Sequence, residues 1–195
     1  MNPEMLDSVT NYECYKGLFS SFNDMNMFEI AYSLNRQFGS ESWCIYRGKL
    51  LYSFVDNHDV SRIATMLKEK RHLPGIYALL FTMPGIPAVY YSSEFGAEGD
   101  KKNGDDCLRL PFEMKEETEL TKLISCLAKL RTEASALANG SYKQLQLQNR
   151  QFAFIRENGE NAIDLTLSDF FGSTPKTVLH DSDKPYHFND IEYKK

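Results

Sequence analysis

Leu50-Leu51-Tyr52-Ser53-Phe54-Val55, running straight into Asp56-Asn57-His58-Asp59, is the stretch on which the fold turns. The first part is a near-continuous apolar run of strand length without the alternation of a half-solvated strand. It reads as a strand buried on both faces, the kind found in parallel sheets. The polar run then falls at the strand's C-terminal end, where open and closed parallel α/β folds collect their chemistry.

The flanks repeat the pattern. Upstream, Leu6 to Tyr12 reads as a short strand with a β-branched centre, followed by a polar, aromatic loop through Tyr15 and Phe19 to Ser21. Met27, Ile30, Ala31, Leu34 and Phe38 then recur at helical steps, with Asn23 or Asp24 available as a cap and Gly39 just past the end. Downstream, Val60 to about Leu67 looks helical, and a second helix starts near Leu73-Pro74 and is stopped by Pro84. Ile86 to Tyr91 is a third strand, leading into Ser92-Ser93-Glu94-Phe95-Gly96. Leu120, Leu123, Ile124, Leu127, Leu130, Ala134 and Leu137 form one amphipathic stripe ending before Gly140. From Ser141 the period changes to two, with Asn158-Gly159 as a hairpin turn. The boundary therefore falls near residue 139: β/α units over 1–138, and a small antiparallel β domain over 139–195.

Composition excludes several classes. A chain of 195 residues with 42% hydrophobic and 25% charged residues forms a real core. Its 22 basic and 27 acidic residues give a net charge of −5 with interspersed signs, so no stripe exists to follow a nucleic-acid backbone. The apolar stretch Ile76 to Tyr91 is broken by Pro84, Gly85 and Pro87 and is shorter than the ~20 residues of a membrane span. Cys14, Cys44, Cys107 and Cys126 form no CxxC pair, and His72, His180 and His187 show no metal spacing. No metal or cofactor is expected. Reduced thiols, and an N-terminus unlike a signal peptide, lead to the expectation of a cytoplasmic location.

Phe54-Val55-Asp56-Asn57-His58-Asp59 resembles the end of the seventh barrel strand in the alpha-amylase family of glycoside hydrolases. Asp7-Ser8-Val9-Thr10-Asn11-Tyr12 is similar to the family's sixth strand, and Met83 to Tyr91, continuing to Glu94-Phe95-Gly96, is similar to its eighth. Asp105 to Phe112 resembles the segment before the last barrel helix. The order and spacing agree over most of the chain. The resemblance implies an α/β fold: a partial β/α barrel made of the last three β/α units, then the β domain. It implies that Asp59 stabilises an oxocarbenium-like transition state and that His58 bonds the same sugar, with Asn57, Tyr12, Tyr15 and Arg62 as further sugar contacts. The partner is then an α-1,4-linked glucan or maltooligosaccharide, cleaved with retention.

The family takes its nucleophile and general acid from the fourth and fifth barrel strands, which this resemblance does not reach. The expectation is a C-terminal fragment of an α-glucan hydrolase, inactive alone. Three strands cannot close a barrel, so self-association or a missing N-terminal half is expected to cover the inner face. The alternative is a non-catalytic glucan-binding or oligomer-assembly module. Residue by residue, plainer readings stand beside these: Asp59 as a helix N-cap, His58 as a satisfied imidazole, Arg62 as an exposed helix arginine, and Tyr12 and Tyr15 as packing rings. Glu94 reads as structural or rim, and Asp105 with Asp106 as a solvated loop.

Overall fold

Two strands form where the apolar runs predict them. In this computed structural model, which describes residues 4–113 and 115–168 and the backbone of 176–181, β1 (Tyr52–Phe54) pairs in parallel with β2 (Ile86–Ala88). Tyr52 lies opposite Ile86 and Phe54 opposite Ala88. The strand expected over Leu6 to Tyr12 shrinks to one bridge, Thr10 beside Tyr52, closed by Asn11 N to Tyr52 O at 2.8 Å and Tyr52 N to Val9 O at 3.0 Å. No strand among the described residues pairs with its far side, so only one row of its backbone groups is bonded there.

The polar loop expected after it is instead a helix, α1 (Tyr12–Asn23). Asn11 caps it by accepting from Cys14 N, and the Asn11 amide donates to Gln37 at 2.9 Å. Its buried stripe of Cys14, Leu18, Ser21 and Phe22 is half small or polar, and so escapes a hydrophobic count. Gly17 belongs to that stripe for a steric reason: a Cβ there would meet Ile30 Cα at 3.2 Å, so α1 and α2 (Phe28–Phe38) approach closely at this point. Neither Asn23 nor Asp24 caps α2. Asn23 bonds Met66 O and Lys68 N, while Met27 precedes α2 without a side-chain cap.

The helix expected from Val60 is only α3 (Ile63–Met66). α4 (Leu73–Thr82) begins with proline in its first turn and ends before Pro84, as its sequence predicts. The long stripe is two helices: α5 (Glu119–Glu133), held by a Thr118–Thr121 capping box, and α6 (Ser135–Asn139). Ala134 separates them in an extended conformation, φ −95° and ψ 100°.

A four-stranded antiparallel sheet follows, β3 (Ser141–Gln148), β4 (Gln151–Glu157), β5 (Ala162–Ser168) and β6 (Lys176–Asp181), in that spatial order. The rest of the expected β domain, 169–175 and 182–195, lies outside the described residues. Phe152, Phe154, Ile163, Leu165 and Leu167 join the apolar cluster that also holds Phe22, Leu34 and Leu80. Two arginines fasten the sheet and α5 to the carbonyl end of α4. Arg156 donates to Thr82 O at 3.0 Å, and Arg131 to Phe81 O at 2.6 Å. Burial lowers them to about 9 and about 10, Arg131's own charge adding to the shift of Arg156. The negative end of the helix dipole suits a cation at this place.

Candidate functional site

The loop leaving β1 divides into a buried half and an exposed half. In the buried half, Asp56 accepts from Ser93 Oγ at 2.8 Å and from Ile63 N at 2.8 Å. Burial pushes its carboxyl up, those two donors and the Arg62 charge pull it back, and Glu94 pushes it further up. Arg62 sits beside it, only 3% exposed. Its guanidinium donates to Tyr91 O at 2.7 Å, Ser93 Oγ at 3.0 Å and Leu108 O at 2.7 Å, and lies 4.2 Å from the centre of the Tyr90 ring. The exposed helix arginine of the plainer reading is thus a buried tie between three loops. It precedes α3 rather than belonging to it.

In the exposed half, Asn57 Oδ1 accepts from Asp59 N at 2.8 Å, a local turn that sets the direction of the next side chain. Asp59 does not cap a helix; α3 begins four residues later, at Ile63. Its carboxylate faces His58 Nε2 at 3.2 Å and Arg109 Nη2 at 3.3 Å. Arg109 also donates to His58 O at 3.3 Å and lies 3.6 Å from Asp105. The His58 and Asp59 side chains are 56% and 50% exposed, so both stay open to a ligand. Asp105 is held below the usual carboxylate range first by Lys101 and then by Arg109.

Tyr12 and Tyr15 gather around the last residue of β1. Tyr15 stacks on Phe54 at 5.1 Å and 12°, and Tyr12 meets the same ring edge-on at 5.2 Å. Burial, then the charge of Asp56, pushes Tyr15 up to about 12. Tyr15 is thus a half-buried packing ring, whereas Tyr12 is exposed. Tyr90, which the sequence reading did not single out, lies 6.3 Å from the His58 ring. Among the described residues no group of three or more His, Cys, Asp and Glu side chains could hold a metal ion.

The backbone superposes on an Anoxybacillus alpha-amylase with a TM-score of 0.73 at 23% identity, covering 84% of this chain and 36% of that one. Together with polar loops at parallel strand ends, this places the chain among α/β proteins of the TIM-barrel type. The model of the alpha-amylase catalytic domain matches residues 2–140. The chain belongs to the alpha-amylase family of glycoside hydrolases. It is 33% identical over 126 residues to a cyclomaltodextrin glucanotransferase of Bacillus sp. (strain 6.6.3), and 31% identical over 131 residues to an alpha-amylase of Niallia circulans. These stretches cover 65% and 67% of this chain but only 17% and 24% of those relatives.

Proposed function

We propose that this chain is the C-terminal part of a retaining α-glucan hydrolase, with residues 1–138 completing a β/α barrel and 139–195 forming a β domain. The observation that carries the reading is the Asp59 carboxylate, half-exposed beyond β1 between His58 Nε2 and Arg109 Nη2. A carboxylate so placed can hold sugar hydroxyls and oppose the positive charge that develops at the reacting carbon. His58 bonds the same sugar, Tyr12 offers a ring to its C–H face, and Asn57 orients Asp59. Arg62 we assign to holding the loops rather than touching sugar. The substrates are α-1,4-linked glucans, linear or cyclic.

Retention requires a nucleophile and an acid about 5 to 5.5 Å apart, on either side of the glycosidic bond. Asp56 and Glu94 are close enough to influence each other, yet Asp56 is buried and spent on Ser93 and Ile63, so it makes a poor nucleophile. These residues alone are therefore inactive, and the first five β/α units of such a barrel, or a further copy, cover the strand face where Tyr52 and Ile86 are each 45% exposed. Four free cysteines agree with a reducing, cytoplasmic setting, and no described helix is long and apolar enough to cross a membrane.

Release of reducing sugar from maltooligosaccharides, measured for the chain alone and for the chain co-expressed with such an N-terminal half, tests this. The expected result is turnover only in the second case. Turnover by the chain alone, lost in Asp59→Asn, would refute the account of the missing carboxylates. No turnover in the second case, with soluble co-purifying halves, would favour the assembly module.

A further inference from the structure

We propose that a groove between α2 and β3 is a second, non-catalytic binding site for α-glucan, resting on the same substrate reading. α2 buries Ile30, Ala31, Leu34 and Phe38, which leaves Phe28, Tyr32 and Asn35 on neighbouring outward positions at four- and three-residue steps. Phe28 is 46% and Tyr32 68% exposed, although large rings at adjacent positions on an amphipathic helix ordinarily turn inward.

The opposite wall comes from β3. Gln144 and Leu147 both line the groove, yet residues an odd number apart on an unbroken strand point to opposite faces. A bulge between Gln144 and Gln146 shifts the register, with Gln144 opposite Phe154 but Leu147 opposite Phe152, and so brings both to one side. The walls are fixed to each other by Met27 N donating to Asn149 O at 3.0 Å. The resulting cavity is about 550 Å³ and is completed by Glu29 and Ala31.

Its chemistry selects the ligand. Two rings offer apolar faces to the C–H side of a sugar, while two amides and a carboxylate bracket its hydroxyls. The Asn35 and Gln144 side chains make no hydrogen bond among the described residues, whereas Glu29 is oriented by Ser20 Oγ. None of the described lining residues is basic, and the nearby Arg36 is paired with Glu13, so the groove does not suit phosphate or another anion. A neutral polyhydroxylated chain with one apolar face fits it.

The experiment is titration of maltoheptaose into the full chain, followed by backbone amide shifts and calorimetry. Shifts at Tyr32, Asn35 and Gln144 are expected, with groove affinity about tenfold weaker in Tyr32→Ala and nearly unchanged in Tyr32→Phe. Asp59→Asn should alter shifts around His58 and leave those at Tyr32 in place. Shifts confined to the His58 and Asp59 loop, with full affinity in Tyr32→Ala, would overturn the groove and leave the substrate reading standing. Silence at both places would overturn both. A dimer that Tyr32→Ala converts to monomer in sedimentation, without groove shifts on titration, would assign the groove to a second copy and overturn the proposal. Tyr32 is solvent-facing, so the variants fold.

Discussion

Two guanidinium groups serve the loop beyond β1, and they do opposite work. Arg62 is buried and makes three short bonds to other loops; Arg109 is half-exposed and reaches Asp59 and the His58 carbonyl at 3.3 Å. A buried cation bonded to three separate partners fixes geometry, because water cannot readily replace them. An exposed pair is screened and easily exchanged. The buried half of the loop is thus a frame, and the exposed half keeps Asp59 positioned while leaving it free to take a sugar hydroxyl instead.

The comparison breaks first at Arg62. Arg62→Ala should cost about 3 to 5 kcal/mol in urea unfolding, because it removes the charged donor from the Tyr91 and Leu108 carbonyls and from Ser93 Oγ, and with it the charge that favours ionised Asp56. A loss below about 1 kcal/mol would place Arg62 with the surface arginines. Asp56 gives the next largest effect. Its amide replacement presents donors to Ile63 N–H or to Ser93, so Asp56→Asn should cost about 1 to 3 kcal/mol. The pH dependence has a definite sign. A carboxyl raised in the folded state contributes stability while protonated, and that contribution fades as pH rises through the raised value. Unfolding free energy should therefore carry a downward component with pH, beginning just above the ordinary carboxylate range. That component disappears in Asp56→Asn. An unchanged slope would mean that Asp56 is ionised without penalty in its buried place.

Legibility followed the range of the interactions. β1, β2, α4 and α5 could be read because continuous apolar runs, an early proline and a helical stripe are local signals. α1 could not, because its inner face is built from Cys14, Gly17 and Ser21, chosen for close approach to α2 rather than for hydrophobicity. Residues 6–12 have strand composition, but composition cannot supply a neighbour, and the ladder there is one bridge. His58 and Asp59 were found through a motif contiguous in sequence. Arg109 and Ser93 were not singled out as their partners, since they come 50 and 37 residues after Asp59 and Asp56 respectively and only the return of the chain through β2 brings them back. The fate of Arg62 was equally hidden: a polar residue just before a helix reads as exposed until the elements that bury it are in place.

The smallest stability effects lie in the exposed half, and there stability and function should part. Arg109→Ala should change unfolding by only about 0.2 to 1 kcal/mol, and less at high salt, as for other exposed pairs. Asp59→Asn keeps the turn set by Asn57 and the shape of the side chain, so its stability should stay within about 0.5 kcal/mol of the parent. In the complemented enzyme, however, the neutral amide can no longer oppose positive charge at the sugar, and turnover should fall about a hundredfold or more. The fall should appear in kcat, since the charge exists only in the transition state, while KM changes less. If Asp59→Asn instead raised KM and left kcat alone, Asp59 would be a ground-state sugar contact. The exposed half of the loop would then hold substrate without taking part in the chemistry, and Arg109 would be positioning a binding group rather than a charge.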